Sequence, residues 1–390
     1  MKRSEFVITA VVFVTATFYP LANIWFEKNY VDSKFEKPAM SRMNLTGRYD
    51  KELLSHRLIE FDRNNGLASA EKSALAFGNT QVWLNEVRKN CSPDLNNSHF
   101  LMCANQLLGK HFYYKPAQAV TDGWAAHYSD CDLNVYLLMD AMHIAGKNSD
   151  IVYAPHHAFI SCVNETTHEH EYLETTAGHN AGGFADLQQD FYLKTMSHFY
   201  YTPQSLTFAE SLYPALVIDR ITDEKTRHKF LVSLRATFPD NPIVQDAWYE
   251  QKKPITRDDA RILVSLIMTD ITSVSKRVLL ADYLNSHQQK DKAQWFLSQI
   301  PADNCNDACL KLKSQTSLFY RFTRWSLQKL MNMGLSISPG EFMVIVSEAL
   351  LYDLFLLLAF GTYLANKRWT LIIRKREDIP VPPPTNEPAG

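Results

Sequence analysis

The stretch that decides the fold is Ser129-Asp130-Cys131-Asp132-Leu133-Asn134, which opens an apolar segment that ends at Gly146. Eight apolar residues between positions 135 and 145 cover most of a helix surface, so the segment predicts a buried helix. Ser129 or Asp130 is a suitable N-cap residue, which places Cys131 in the first turn. Free backbone N–H groups and the helix dipole stabilise an anion there, so the position favours a thiolate.

Three segments with the β-branched and aromatic content of strands follow, at 151–154, 158–163 and 171–176. The polar run 164–170 predicts a hairpin turn between the last two. A turn centred between Glu165 and Thr166 places His157 directly opposite Glu174, because paired residues are equidistant from the centre. A cysteine, a histidine and a carboxylate so arranged supply a nucleophile, a base and the group that orients the base.

Three pieces of the chain carry a family resemblance: Cys131 opening its helix, the segment Pro155-His156-His157-Ala158-Phe159-Ile160, and Tyr172-Leu173-Glu174-Thr175-Thr176 with the glycine-bearing residues 178–183 behind it. Together they resemble the bacterial branch of the transglutaminase-like superfamily of cysteine hydrolases. The resemblance implies a papain-like site with Cys131 as nucleophile, His157 as general base and Glu174 where many members carry aspartate. His156 is the alternative base. The implied activity is that of a cysteine protease or amidase acting on a protein or peptide substrate.

The predicted fold class is α+β, with the cysteine-bearing helix packed on an antiparallel sheet, an added α-helical domain and two transmembrane helices. The predicted regions are a cytoplasmic N-terminus (1–5), a transmembrane helix (6–26), a mostly helical region (27–115), the catalytic core (116–202), a helical domain (203–315), an amphipathic juxtamembrane segment (316–340), a second transmembrane helix (342–365) and a basic, then proline-rich cytoplasmic tail (366–390). The 390 residues carry a net charge of −2, which gives no electrostatic case for binding nucleic acid.

Four of the six cysteines form two local pairs flanked by polar residues, Cys91 with Cys103 and Cys305 with Cys309. This spacing favours two short-loop disulfides in an oxidising compartment, with Cys131 as a free thiol. Six reduced cysteines in a cytosolic protein are the alternative. A third arrangement, in which Cys131 bonds Cys162, would silence the nucleophile.

The two apolar runs predicted to be transmembrane helices, 6–26 and 342–365, are long enough to cross a bilayer. Basic residues lie just before the first run and just after the second. The positive-inside rule then places both termini in the cytoplasm and everything between the spans in the periplasm of a bacterial cell. For the first run, an uncleaved anchor is favoured over a cleaved signal peptide. The acids Glu348 and Asp353 of the second run either contact a membrane-protein partner or lie at the interface.

Two helical regions leave alternatives open. Residues 203–315 show helical periodicity, and two of their segments resemble one tetratricopeptide helix pair without a second copy, so a helical bundle and a solenoid fragment both fit. The aromatic and basic run 317–333 either lies on the bilayer surface or is an ordinary amphipathic helix of the soluble domain.

The expected oxyanion donors are the backbone N–H of Cys131 and a group from Trp124 to Asp130, and the rings of Trp124 and Tyr128 either wall a cleft or pack beneath the helix start. Neither a metal nor another cofactor is expected, because the histidines around residue 168 lack zinc-site spacing. The rival to an enzyme is a catalytically silent, membrane-anchored binding protein that acts through its helical domain and second transmembrane helix.

Overall fold

The computed structural model describes residues 14–15, 18–20, 22–23, 25–26, 49–115, 119–176, 180, 182–189, 192–193, 195–252, 254–301, 304–332, 337 and 339–377. The predicted cytoplasmic start, residues 27–48, the glycine at 178 and the proline-rich end of the chain lie outside these residues, as does about half of the first apolar run. The chain divides into two units, residues 29–317 and residues 1–28 with 318–390.

The first unit has an α+β architecture with a mixed N-terminal half. Its elements, in chain order, are α1 (Leu54–Asn64), α2 (Ala70–Asn90), α3 (Asn97–His111), β1 (Tyr113–Tyr114), α4 (Val120–Ala125), β2 (Tyr128–Ser129), α5 (Cys131–Ile144), β3 (Asp150–Ala154), β4 (His157–Val163), β5 (His170–Glu174), β6 (Gly183–Phe184) and β7 (Pro203–Gln204). Helix α2 lies within the region predicted to be mostly helical, and it passes through Gly78, which is buried.

Five strands form one antiparallel sheet in the order β6-β5-β4-β3-β7, as the sequence predicts for its central three. Helix α5 packs against β4 and β3 and is itself almost wholly buried. Because α5 lies inside the core, its polar residues need partners. Asp140 accepts the backbone N–H groups of Leu54 and Ser55 at 2.6 and 2.8 Å, and so caps the buried start of α1.

The rest of this unit, where the structure describes it, has seven α-helices: α6 (Leu206–Leu216), α7 (Glu224–Thr237), α8 (Pro242–Gln251), α9 (Arg257–Thr269), α10 (Val274–Ser286), α11 (Lys290–Ser298) and α12 (Asp307–Thr316). A short 3-10 helix, Ile218–Arg220, lies between α6 and α7. One core runs from Leu53 to Ala247, so the N-terminal helices, the sheet and the first helices of this region share it. The ammonium of Lys276 is fully buried and pairs with Asp246 at 2.6 Å and Asp270 at 3.2 Å. This ion cluster joins α8 to the start of α10.

The second unit contains α13 (Leu318–Asn332) and α14 (Pro339–Glu377). Within α14, Phe342–Asn366 is long and apolar enough to cross a membrane, and it is the one such helix among the described residues. The ring of Tyr19, from the first apolar run, meets that of Tyr352 edge to face at 6.1 Å. Helix α14 continues to Glu377, so the basic part of the predicted tail is helical.

Candidate active site

Cys131 is the first residue of α5, where the sequence predicts it. Asp130 is the N-cap residue, and its Oδ1 accepts the backbone N–H of Leu133 at 3.4 Å. The parallel pair β1–β2 holds the preceding Tyr128 and Ser129. Cys131 is half-buried, whereas the helix behind it is buried from Leu133 to Met142. The start of this helix, at Cys131 and Asp132, lines a cleft.

His157 and Glu174 form a close polar contact near this point. His157 Nε2 lies 2.6 Å from Glu174 Oε2, and the two side chains are only 13% and 15% exposed. Thr176 Oγ1 donates to the other carboxylate oxygen at 2.9 Å. Burial raises the pKa of Glu174, but the hydrogen bond and charge of His157, with the bonds from Thr176, outweigh it and leave the pKa below its usual value. The carboxylate is thus held ionised beside the imidazole.

The hairpin register differs from the predicted one by two residues. Ile160 pairs with Leu173 and Val163 with His170, so Glu174 is not directly opposite His157. The turn centre moves because the Asn164 side chain accepts the N–H groups of the two residues at 166 and 167. A shift of two keeps every side chain on its predicted face, which is why Glu174 still reaches the imidazole diagonally.

Cys131 and His157 line the same cleft, which has a volume of about 340 Å³. The backbone N–H of Ala158, next to the histidine in sequence, lies near enough to the Cys131 sulfur to lower the pKa of the thiol. The start of β4 therefore lies against the start of α5. Because Nε2 of His157 faces Glu174, Nδ1 is the ring nitrogen suited to exchange a proton with the thiol.

The electrostatics of the thiol differ from the sequence-based expectation of a thiolate. Burial raises the pKa of Cys131 well above its usual range, and the charges of Asp132 and Asp130 raise it further. Asp132 Oδ1 lies 3.9 Å from the sulfur. The backbone N–H groups of Ala158 and Asp132 lower the pKa without reversing this balance. The helix start does offer donors to an anion, but two neighbouring carboxyl groups oppose it, and the resting cysteine is a thiol.

No family model, no curated protein and no solved structure matches the chain. The resemblance to transglutaminase-like hydrolases therefore stays a prediction from the residues quoted above. The geometry of the cleft is the basis for a functional argument.

Of the four residues predicted to bind substrate or an oxyanion, the structure brings one into the cleft. His156 lines it with a positive φ of 60° and lies 3.0 Å, through Nε2, from the carbonyl oxygen of Thr272. Trp124 is fully buried in the core and is not among the cleft-lining residues. The Lys115 ammonium lies 4.4 Å from the centre of the Tyr128 ring. Neither that ring nor Asp130 is among the cleft-lining residues.

The far wall of the cleft was missed by sequence reasoning. This wall comes from the helical region and carries three acids, Asp219, Asp246 and Glu250. The aromatic surface of the cleft comes from Tyr153, on β3, and Tyr200. Asp132, beside the nucleophile, had a visible signal in its position next to the cysteine. The three acids of the far wall had none, since nothing local in their helices indicates which neighbour they face.

The cysteine pairing is as predicted. Disulfides join Cys91 to Cys103 and Cys305 to Cys309. Cys131 and Cys162 are both free, so the alternative in which they bond each other is wrong. Among the described residues, no group of three metal-ligating side chains comes together.

Proposed function

We propose that the protein is a membrane-anchored cysteine hydrolase of transglutaminase-like type that cleaves, or transamidates, an amide bond in a protein or peptide. The observation that carries the proposal is the cleft that Cys131 and His157 share, with the imidazole held by the half-buried carboxylate of Glu174. A nucleophile, a base and an orienting group in this order meet the requirements for covalent catalysis.

In the proposed reaction, His157 takes the thiol proton and Glu174 stabilises the imidazolium. The sulfur of Cys131 attacks the amide carbonyl, and the leaving amine departs with the proton from the imidazolium, which leaves a thioester on the enzyme. Water or a second amine then attacks the thioester and regenerates the thiol. Water yields a carboxylic acid, and an amine yields a new amide.

The raised thiol pKa determines when the proton leaves the sulfur in this reaction. Since the resting sulfur is protonated, attack requires His157 to remove the proton as the substrate binds, rather than a preformed thiolate. The backbone N–H groups near the sulfur, those of Asp132 and Ala158, are the donors available to the developing negative charge.

The first test is alkylation of Cys131 across pH in a Cys162→Ala background, which removes the other free thiol. His157→Ala should slow alkylation at neutral pH by about 10²-fold or more, the range for loss of a general base. His156→Ala is the matched control, because the neighbouring histidine contacts the Thr272 carbonyl instead, and it should label at the wild-type rate. Equal labelling of all three proteins would end the proposal.

The second test identifies the chemistry. The wild-type chain and Cys131→Ala are incubated with an unfolded protein and a fluorescent primary amine. New chain ends that depend on Cys131 indicate hydrolysis, and covalent fluorescence on the substrate indicates transamidation. If the wild-type chain yields neither product, that result contradicts an enzymatic role.

A catalytically silent binding protein is the second candidate, and one observation favours it: burial, together with the charges of Asp132 and Asp130, raises the pKa of the Cys131 thiol. In that case the cleft would bind a peptide without cleaving it. Partners would also dock through the transmembrane helix α14, at Glu348 and Asp353.

We also propose the two-pass topology, with both termini in the cytoplasm and residues 29–317 in the periplasm. The two disulfides and the contact between Tyr19 and Tyr352 support it. Protease treatment of intact spheroplasts should degrade the 29–317 unit and spare an epitope placed after residue 377. Protection of the whole chain would contradict this topology.

A further inference from the structure

Helix α13 groups with α14, the helix predicted to span the membrane, and not with residues 29–317, which we call the soluble unit. Contacts within the chain group residues 318–390 apart from residues 29–317, and α13 packs against α14. Thr323 is the one buried residue described in α13. This grouping places α13 beside the helix predicted to span the membrane, and it leaves one side of α13 exposed.

That exposed side is apolar and aromatic. Leu318, Phe322 and Trp325 are 77%, 55% and 59% exposed. Their spacings of four and three residues place them in one stripe along the helix. A contiguous apolar stripe turned outward is characteristic of a surface that another phase or molecule covers.

The charges of α13 indicate what covers this apolar stripe. Arg321, Arg324 and Lys329 are exposed, and the sequence has no acidic residue between Asp307 and Glu341. An apolar stripe with aromatic residues and a purely basic set of charges is the pattern of helices that lie in the surface of an anionic bilayer.

The chain also keeps α13 close to a bilayer. Asn332 ends the helix, and the span in α14 begins at Phe342, ten residues later. Ten residues reach at most about 35 Å when fully extended, so the end of α13 stays within that distance of the point where the chain enters the membrane.

We infer that α13 is an interfacial helix that inserts Leu318, Phe322 and Trp325 into the membrane surface and holds anionic phospholipid headgroups with Arg321, Arg324 and Lys329. A helix in this position lies in the membrane plane, with its apolar side about 5–10 Å deep at the boundary of headgroups and acyl chains. The inference depends on the membrane span and is independent of catalysis.

The test measures the depth of residue 325 in a bilayer. The full-length chain, with Cys131→Ala and Cys162→Ala, receives Trp325→Cys and a fluorescent label, and is reconstituted into vesicles of phosphatidylcholine with or without phosphatidylglycerol. The matched control is Trp295→Cys on α11, because that tryptophan is also 59% exposed but lies in the soluble unit. Lipids with a nitroxide near the headgroup quench only a label at membrane depth.

We expect strong nitroxide quenching at position 325 and none at 295. The quenching at 325 should be greater with phosphatidylglycerol and weaker in high salt, which screens the basic residues. Changing Arg321, Arg324 and Lys329 to glutamine together should remove the dependence on anionic lipid. Circular dichroism of each variant checks that the chain stays folded.

Two results would overturn the inference. A label at 325 that is quenched no more than one at 295 means that α13 is away from the bilayer. A label at 325 that is shielded from aqueous iodide but not quenched by nitroxide lipid means that a protein surface covers the stripe instead.

Discussion

Asp132→Asn should make Cys131 more reactive, although it removes a polar group from the proposed active site. At the observed Sγ–Oδ1 distance of 3.9 Å, two unit charges repel by about 4 kcal/mol at an effective dielectric constant of 20. That repulsion disfavours the thiolate and so raises the thiol pKa. Asparagine keeps the size of the side chain and removes its charge.

The real effect should be smaller than this upper limit. Asp132 hydrogen-bonds with Asp130, and a bond between two carboxyl groups requires one of them to hold a proton. Burial raises the pKa of Asp132 and outweighs the hydrogen bond from Asp130, which lowers it, so the charge of Asp132 is reduced. The cleft also admits water. We therefore expect Asp132→Asn to lower the thiol pKa and to make alkylation at neutral pH about tenfold faster.

The assay is the rate of iodoacetamide alkylation of Cys131 between pH 5 and pH 10, in the Cys162→Ala background. Asp219→Asn is the control, since that acid lines the same cleft but is not among the groups that shift the thiol pKa. An unchanged or higher midpoint in Asp132→Asn would refute the electrostatic account of the resting thiol, whatever the function of the protein.

Three further changes test other parts of the structure. Glu174→Gln, compared with Glu171→Gln on the same strand, should slow alkylation of the thiol by about 10- to 100-fold, because a charge-assisted hydrogen bond worth about 1.5–3 kcal/mol is lost; equal rates would exclude a role for this carboxylate. Gly182→Ala, at a φ of +77°, places a Cβ against the side-chain amide of Asn105 on α3, whereas the control Gly66→Ala, at +72°, meets no atom. In urea unfolding the first change should cost about 2–4 kcal/mol of stability and the second about 1 kcal/mol. Similar costs would contradict the packing. Burial raises the pKa of Asp140 from 3.8 to about 6. Its protonation therefore stabilises the fold by about 3 kcal/mol below about pH 4, and this contribution is lost as the pH rises through 6. Asp140→Asn should flatten the free energy of unfolding as a function of pH across this range.

The sequence predicted those features that depend on local chemistry. The N-cap at Asp130, the buried helix behind Cys131 and the cysteine pair at 91 and 103 each follow from residue types at short spacing, and the structure has all of them. The face of the β4–β5 hairpin was also predictable, because a two-residue error in register leaves it unchanged.

Features that depend on long-range packing were not predictable in this way. The register depends on an Asn164 side chain that caps its own turn, a detail that strand periodicity does not contain. The protonated state of the thiol depends on burial and on Asp132, and the simple helix-dipole argument omits both. The far wall of the cleft brings Asp219 and Glu250 to a cysteine about a hundred residues earlier in the chain, and no local pattern encodes that meeting.

The origin of the two cleft walls has a thermodynamic consequence. One wall comes from α5 and β4 and the other from α6 and α8, so a molecule that fills the cleft binds only when the helical region is folded against the sheet. Binding and docking are then linked equilibria, and a ligand present at a hundred times its Kd stabilises the docked state by about 2.7 kcal/mol. The melting temperature of the chain thus becomes a screen for its substrate, which needs no knowledge of the reaction.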